Sequence, residues 1–303
     1  MKIGINGTGL VQKASVDAVV SHAQQALDDG FHSYWLAEHP TGGFDALTVL
    51  AAVGLKVPTI KLGTAIIPTF PRHPAVLAGQ AITVNNLLEG RLTLGIGLSH
   101  APMMAELGIG FDKPIRHLRE YLAVLMPLVR EGQVDAQGET IQARFKHFRE
   151  PAHALKVVVA ALGPQALGVT GRNADGTVLA WVGEKTIREH IAPRLNKAAE
   201  EAGNPAPQII ASLPVCVTDD EAGIRERIGK GLSMYGQLPS YRAMFDREGV
   251  DGPADVAIVG SQAQVEDRIR AMAEAGVTEF TPTEFVTNGD EAAATRATLA
   301  GFL

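Results

Sequence analysis

Two places in the chain put proton-handling side chains directly after apolar runs. Glu38-His39 follows Tyr34-Trp35-Leu36-Ala37, and Ser99-His100 follows Gly95-Ile96-Gly97-Leu98. A carboxylate beside an imidazole can fix the ring tautomer and raise its pKa, which suits general acid–base work, so Glu38 is expected to orient His39. The alternatives are a helix-capping pair at a loop start for Glu38-His39 and a surface loop residue for His100. Gly95 and Gly97 would let the backbone approach a planar ring closely. Pro68, Thr69, Arg72 and His73 follow a third apolar run, Lys61–Ile67. Pro74 fits the first turn of a helix, and Arg72 either meets an anionic group or is solvated. Ala160-Ala161-Leu162-Gly163-Pro164-Gln165 closes another apolar run and opens a helix, whose free N–H groups suit a phosphate. An ordinary strand-to-helix turn is the alternative there. Trp181 ends a further apolar run, placed either against a ligand or in the core.

These residues share one setting, the C-terminal end of a strand. Eight strand candidates recur: Lys2–Ile5, Ser33–Ala37, Lys61–Ile67, Leu92–Gly97, Val157–Ala161, Thr177–Trp181, Ile209–Val217 and Thr278–Phe280. Helical patterns lie between them. Val16, Val19, Val20, Ala23, Ala26 and Leu27 fall on one stripe, as do Leu118, Tyr121, Leu122, Leu125 and Leu128, and Pro74–Leu88 reads as a helix. Thr218–Glu221 and Ser261–Gln264 read as capping boxes. Eight strands alternating with helices fit a (β/α)8 TIM barrel of class α/β, a fold that gathers its active site at the C-terminal strand ends. A doubly wound open sheet has the same local pattern. Three spacers, 99–114, 133–156 and 235–256, are too long for turns and read as insertion loops at the C-terminal face, either lids or peripheral decoration. The third is expected to contain a short helix.

Composition narrows the function. The chain has 303 residues, 46% hydrophobic and 20% charged, which fits a single domain over residues 1–303. A net charge of −6 without a clustered Lys/Arg run argues against a nucleic-acid partner. Cys216, the only cysteine, excludes internal disulfides and reads as a buried strand thiol. Nine histidines without paired ligand spacing give no metal site. No apolar run reaches a membrane span, and the N-terminus enters a strand without a signal-peptide pattern, so a cytoplasmic protein is expected. Gly4, Gly7 and Gly9 lack the dinucleotide spacing, and no GxSxG, P-loop or HExxH occurs.

The stretch LGTAIIPTFPRHPAVLAGQ followed by LLEGRLTLGIG resembles the bacterial luciferase-like superfamily, and within it the branch that uses the deazaflavin coenzyme F420. The resemblance implies the barrel rather than the open sheet. It implies a non-proline cis peptide at Ala65–Ile66, backing the deazaflavin's central ring, and a cofactor-phosphate contact along Ala161, Leu162, Gly163 and Gln165. Leu162 stands where the family often has glycine. The same resemblance puts Glu38 and His39 on the pocket wall and Gly97 near the cofactor. His100 occupies the place where the family's sugar-phosphate dehydrogenases carry an acidic Glu, which argues against a sugar phosphate as substrate.

The implied activity is that of an F420-dependent oxidoreductase. It would transfer a hydride between the deazaflavin and a small organic substrate, with His39 and His100 as proton-handling groups. An FMN-dependent luciferase-like monooxygenase is one alternative; a deazaflavin lacks N5 and does not readily serve oxygenation. A non-catalytic carrier of a flavin-like ligand is another, disfavoured because a carrier needs no proton donors. A homodimer is expected from the superfamily.

Overall fold

The computed structural model describes residues 1–10, 14–39 and 41–303. Its centre is a barrel of parallel strands. β1 comes in two pieces, Lys2–Ile3 and Ile5–Asn6, and is followed by β2 (Ser33–Leu36), β3 (Lys61–Thr64) and β4 (Leu92–Gly97). Then come β5 (Lys156–Val159), β6 (Gly176–Ala180), β7 (Gln208–Ser212) and β8 (Glu279–Phe280). Neighbours in the barrel are neighbours in sequence. β1 closes the ring: its first piece pairs with β8 (Lys2↔Glu279) and its second with β2 (Ile5↔Tyr34). Every pairing in the ring is parallel, so all eight strands deliver their C-terminal ends to one face.

Each strand is followed by a helix that covers the outside. These are α1 (Val16–Asp28), α2 (Ala46–Lys56), α3 (Pro74–Leu87), α4 (Pro114–Glu131), α5 (Pro164–Asn173), α6 (Ala192–Glu201), α7 (Gln262–Glu274) and α8 (Gly289–Ala300). The expected stripes face inward: Val19, Val20, Ala23 and Ala26 on α1, and Leu118, Tyr121, Leu122, Leu125 and Leu128 on α4, are buried. The starts are set by local chemistry. Ser15 caps α1, Asp45 accepts from the Thr48 N–H at 2.7 Å to cap α2, and Pro74 opens α3. Ser261 and Gln264 form the expected capping box. The other one does not form. Asp220 caps the helix Glu221–Gly231, and Thr218 instead accepts from the Asp220 N–H, because the chain turns two residues later than the motif suggests.

Two expected strands are shorter than their apolar runs. β3 stops at Thr64, the Ala65–Ile66 peptide is cis as expected, and Ile67–Pro68 resumes pairing with β4. Ile209–Val217 is two strands. β7 ends at Ser212, and Pro214–Val217 joins a separate parallel sheet with Ile258–Gly260 and Thr283–Glu284. Pro214 has no N–H to donate and sits where a strand can begin but not continue. Cys216 is buried in this outer sheet, where burial first and Glu291 second push its thiol up to about 11. The three long spacers hold structure: a helix Ala101–Glu106, an antiparallel hairpin Gln133–Ala136/Ala143–Lys146, and, in the third, the helices Pro239–Glu248 and Pro253–Val256 together with the end of Ser233–Gln237.

The barrel interior is a packed core. Trp35, Val158, Val178 and Ile210 fill it, with Ala65, Ile66 and Ala160 packed against them from the mouth side. The Trp35 ring nitrogen donates to Glu279 at 2.9 Å and to Ser33 at 2.8 Å. Ser33 and Glu279 open their strands, so this polar cluster belongs to the N-terminal end of the barrel, the end that serves stability. Truncating Trp35 to Ala would cost about 3–5 kcal/mol. Among the described residues, no helix is long and apolar enough to cross a membrane.

Candidate active site

The C-terminal face divides into four sectors. Above β7, β1 and β2 lies a polar chain. Asn6 donates to Ser212 at 3.1 Å and accepts from the Thr8 backbone at 2.9 Å, and Thr8 Oγ1 accepts from the Ala37 N–H at 2.9 Å. Nothing in the sequence marked these residues, since single Asn, Thr and Ser side chains carry no spacing signal.

Above β2 and β3 lies an ion pair. Arg72 Nη2 donates to Glu38 at 3.1 Å and to Asp45 at 3.0 Å, and the Ala46 N–H at the start of α2 donates to Glu38 at 3.2 Å. Both Glu38 oxygens are therefore engaged away from His39. The expected Glu38–His39 couple is replaced by a Glu38–Arg72 pair, with Arg72 brought from 34 residues along the chain. Burial raises the Glu38 pKa, and Arg72 offsets only part of the rise. Burial would also raise Asp45, but the Thr48 N–H and hydroxyl and Arg72 together lower it. Arg72 Nη1 is buried without a partner among the described residues. His39, half-buried beyond β2, has its pKa lowered by burial, the opposite of the direction a carboxylate neighbour would give.

The floor lies above β3, β4 and β5. Here Gly95 and Gly97 make room for protein. A Cβ on Gly95 would sit 1.8 Å from the Thr64 carbonyl oxygen, and one on Gly97 would sit 2.9 Å from Ile66 Cγ1 and 3.1 Å from the Ala160 Cβ. The glycines thus admit the Thr64–Ile66 turn, which lays Ile66 beside Ala160. The next residues follow β5: Ala161 is buried, Leu162 is half-buried, and Gly163 and Gln165 are exposed at the start of α5. The Leu162 carbonyl accepts from His190 Nε2 at 2.8 Å, which ties this loop to the segment before α6.

The fourth sector is aromatic and stands over β4 and β6. His100 lies 5.5 Å from Tyr241 and 6.3 Å from Tyr235 between ring centroids; Tyr235 lies 5.3 Å from Trp181 and 5.4 Å from Tyr241. Burial lowers the His100 pKa. Both tyrosines come from the third long spacer or its edge, whose excess length was the one available signal. A second ring cluster flanks the end of β3. His117 stacks on Phe70 at 3.9 Å and meets the Thr69 hydroxyl at 3.0 Å, with Phe111 beside Phe70 at 4.9 Å. Burial takes His117 down to about 4, against a small upward pull from Glu120. His39 and His100 thus share the mouth face, and no hydrogen bond or ring contact joins them among the described residues.

Beside this face runs a basic cleft of about 600 Å³, lined by Lys113, Arg116 and Arg119 of the α4 start, by Glu139, and by Gln165 of α5. A second hollow of about 340 Å³ shares Ile115, Arg119 and Gln165 with it and adds Val169 and Arg172. Arg116 pairs with Glu139. Arg119 and Arg172 make no ion pair among the described residues. The cleft carries a net excess of cations beside a helix N-terminus.

A closed parallel barrel with imidazoles, an ion pair and unengaged polar rings at its C-terminal strand ends is an α/β barrel enzyme. The model of the luciferase-like monooxygenase family matches residues 3–279, and the chain belongs to that family. It is 22% identical over 259 residues to the 5,10-methylenetetrahydromethanopterin reductase of Methanolobus tindarius, covering 85% of this chain and 79% of that one. It is 29% identical over 212 residues to an F420-dependent glucose-6-phosphate dehydrogenase of Kineococcus radiotolerans, covering 66% and 63%. The coenzyme F420-dependent tetrahydromethanopterin reductase of Methanopyrus kandleri has the same fold, with a TM-score of 0.82 at 20% identity over 98% of this chain and 97% of that one.

Proposed function

We propose that the chain is an oxidoreductase that moves a hydride between the deazaflavin coenzyme F420 and a small organic substrate. The cationic cleft carries this reading. F420 bears a phosphodiester and an oligoglutamate arm, and a cleft with Lys113, Arg119 and Arg172 fits a long polyanion better than the single phosphate of FMN. The F420 dependence of the glucose-6-phosphate dehydrogenase relative supports it. When bound, the deazaflavin supplies a hydride donor or acceptor at C5 of its ring. The apolar floor of Ala65, Ile66 and Ala160 suits a flat ring, with Gly97, Ala161, Leu162 and Gly163 around it. Pro164 has no N–H, so Gln165 and Ala166 are the first donors of α5 that a phosphate would meet.

His39 and His100 handle the proton. Burial keeps both imidazoles neutral at pH 7, so each is ready to accept a proton when the substrate is oxidised. Glu38 acts through Arg72, which holds the β2 and β3 ends together beside the ring. The helices Ser233–Gln237 and Pro239–Glu248, whose Tyr235 and Tyr241 stand beside His100 and Trp181, limit water at the reacting centre.

Arg119→Glu tests the assignment at the feature that carries it. F420 affinity should fall at least tenfold, with a weaker salt dependence, while FMN affinity changes less than threefold. An F420 affinity unmoved by the reversal would contradict the placement of the arm. The family's monooxygenase description favours a second reading, an FMN-dependent monooxygenase, for which FMN would be the tighter ligand.

A further inference from the structure

The aromatic sector is more than a wall. It collects four rings from three separated segments: His100 after β4, Trp181 after β6, and Tyr235 and Tyr241 from the helices Ser233–Gln237 and Pro239–Glu248. The rings meet at tilted or perpendicular angles, 48° for Trp181–Tyr235 and 88° for Tyr235–Tyr241. A cluster that existed only to pack would bury its polar atoms against partners. Here all four residues are partly exposed, and neither tyrosine hydroxyl, nor the Trp181 ring N–H, nor either His100 nitrogen has a hydrogen-bond partner among the described residues. Four polar groups on apolar rings are held ready beside the mouth.

The backbone holds them in place. Ser99 and Trp181, each just beyond a strand end, adopt left-handed φ values of 61° and 59°, a conformation that non-glycine residues take up rarely and at a cost. The helix Pro239–Glu248 is tied down as well. Glu248 accepts from the backbone N–H groups of Lys185 at 3.2 Å and Thr186 at 2.7 Å, and Thr186 Oγ1 donates to the Met244 carbonyl at 3.3 Å. The tyrosines therefore face β6 on a fixed platform. Among the described residues, no Arg or Lys lies over any of these four rings. Arg242, next to Tyr241 on the helix Pro239–Glu248, is committed to Asp246 at 2.8 Å and to the Val250 carbonyl at 2.7 Å.

We infer that His100, Trp181, Tyr235 and Tyr241 form the substrate box, and that it selects a flat, uncharged, aromatic or conjugated ring carrying a hydrogen-bonding oxygen. The rings offer faces and edges to a planar partner, the hydroxyls and indole N–H address its oxygen, and with no cation over these rings among the described residues an uncharged ring is favoured over a phosphorylated one. The inference rests on the proposed hydride-transfer site at this mouth, and its binding test does not require that reading to hold.

Equilibrium dialysis of the full chain, with and without F420, against 2-naphthol, 2-naphthyl phosphate and cyclohexanol tests the box. 2-Naphthol should bind at least tenfold more tightly than either comparator. Aromatic contacts stabilise a bound ring beyond the area they bury, so Tyr235→Leu/Tyr241→Leu should weaken 2-naphthol about tenfold or more and leave cyclohexanol within twofold. Trp181→Leu should act in the same direction, and F420 affinity of both variants should stay within threefold of the parent. Equal binding of the three probes to the unmodified protein overturns the inference without recourse to any variant. So does unchanged 2-naphthol binding in variants that melt as the parent does. If F420 fails to bind the parent, the deazaflavin reading falls while the dialysis comparison still decides the box.

Discussion

At the scale of single residues, the proposal turns on two imidazoles. Replacing His39 or His100 with Ala should lower turnover by roughly 10²–10⁴-fold if the residue transfers a proton, while F420 affinity changes little. Steady-state kinetics with a verified substrate, alongside a cofactor titration, checks both halves; unchanged turnover in each variant would make both residues bystanders and move the proton-handling role to Glu38 or to solvent. The pH dependence has a definite sign. Burial lowers both histidines from their ordinary value, so the neutral, proton-accepting form persists to lower pH than a free imidazole would allow. The kcat/KM for substrate oxidation should stay level below pH 6.5 and decline only further down. The positions of His39 and His100 were legible in the sequence because a polar residue after an apolar run marks a strand end. The partner of Glu38 was not. Adjacency pointed to His39, whereas the geometry of β2 and β3 delivers Arg72 to Glu38 and Asp45, and the Ala46 N–H takes the second Glu38 oxygen.

At the scale of elements, all eight barrel strands could be found from their apolar runs, because a strand buried on both faces reads as a continuous block. Their ends could not. The run from Lys61 to Ile67 conceals the turn at Ala65–Ile66, and the run from Ile209 to Val217 conceals the change of sheet at Pro214, since apolar character alone does not report which sheet a residue joins. The glycines of β4 owe their identity to that hidden turn. Gly95→Ala would drive a methyl carbon to 1.8 Å from a backbone oxygen that has no side-chain freedom to retreat. It should destabilise the fold by about 1–3 kcal/mol or more, the range for overpacked cores. Urea denaturation of parent and variant measures this; a cost below about 0.5 kcal/mol, the range of a surface substitution, would show that the β3–β4 contact is looser than described.

At the scale of the whole molecule, closure of the barrel through both pieces of β1 sets which residues share the mouth, and acid should loosen it early. Burial lowers the pKa values of His32, His39, His100 and His190, and takes His117 down to about 4. Unfolded histidines protonate near their ordinary value of about 6.5, so unfolding takes up protons below that pH, and the stability these groups contribute is lost as pH falls. Glu38, raised by burial, works in the opposite sense nearer the carboxylate range. Melting temperature should therefore drop between pH 7 and pH 5, and His117→Gln should shrink the drop; a flat profile would contradict the burial of these rings. The barrel was legible from alternation and from the resemblance. The aromatic box and the basic cleft were not, because each is assembled from segments far apart in sequence, the box from positions 100, 181, 235 and 241 and the cleft from 113–119, 139 and 165–172, that only the folded barrel brings together. The central claim is the deazaflavin. Fluorescence titration of the purified protein with F420 and with FMN tests it most directly: F420 should bind at least tenfold more tightly, about 1.4 kcal/mol, and equal or tighter binding of FMN would contradict the account and establish the monooxygenase reading in its place.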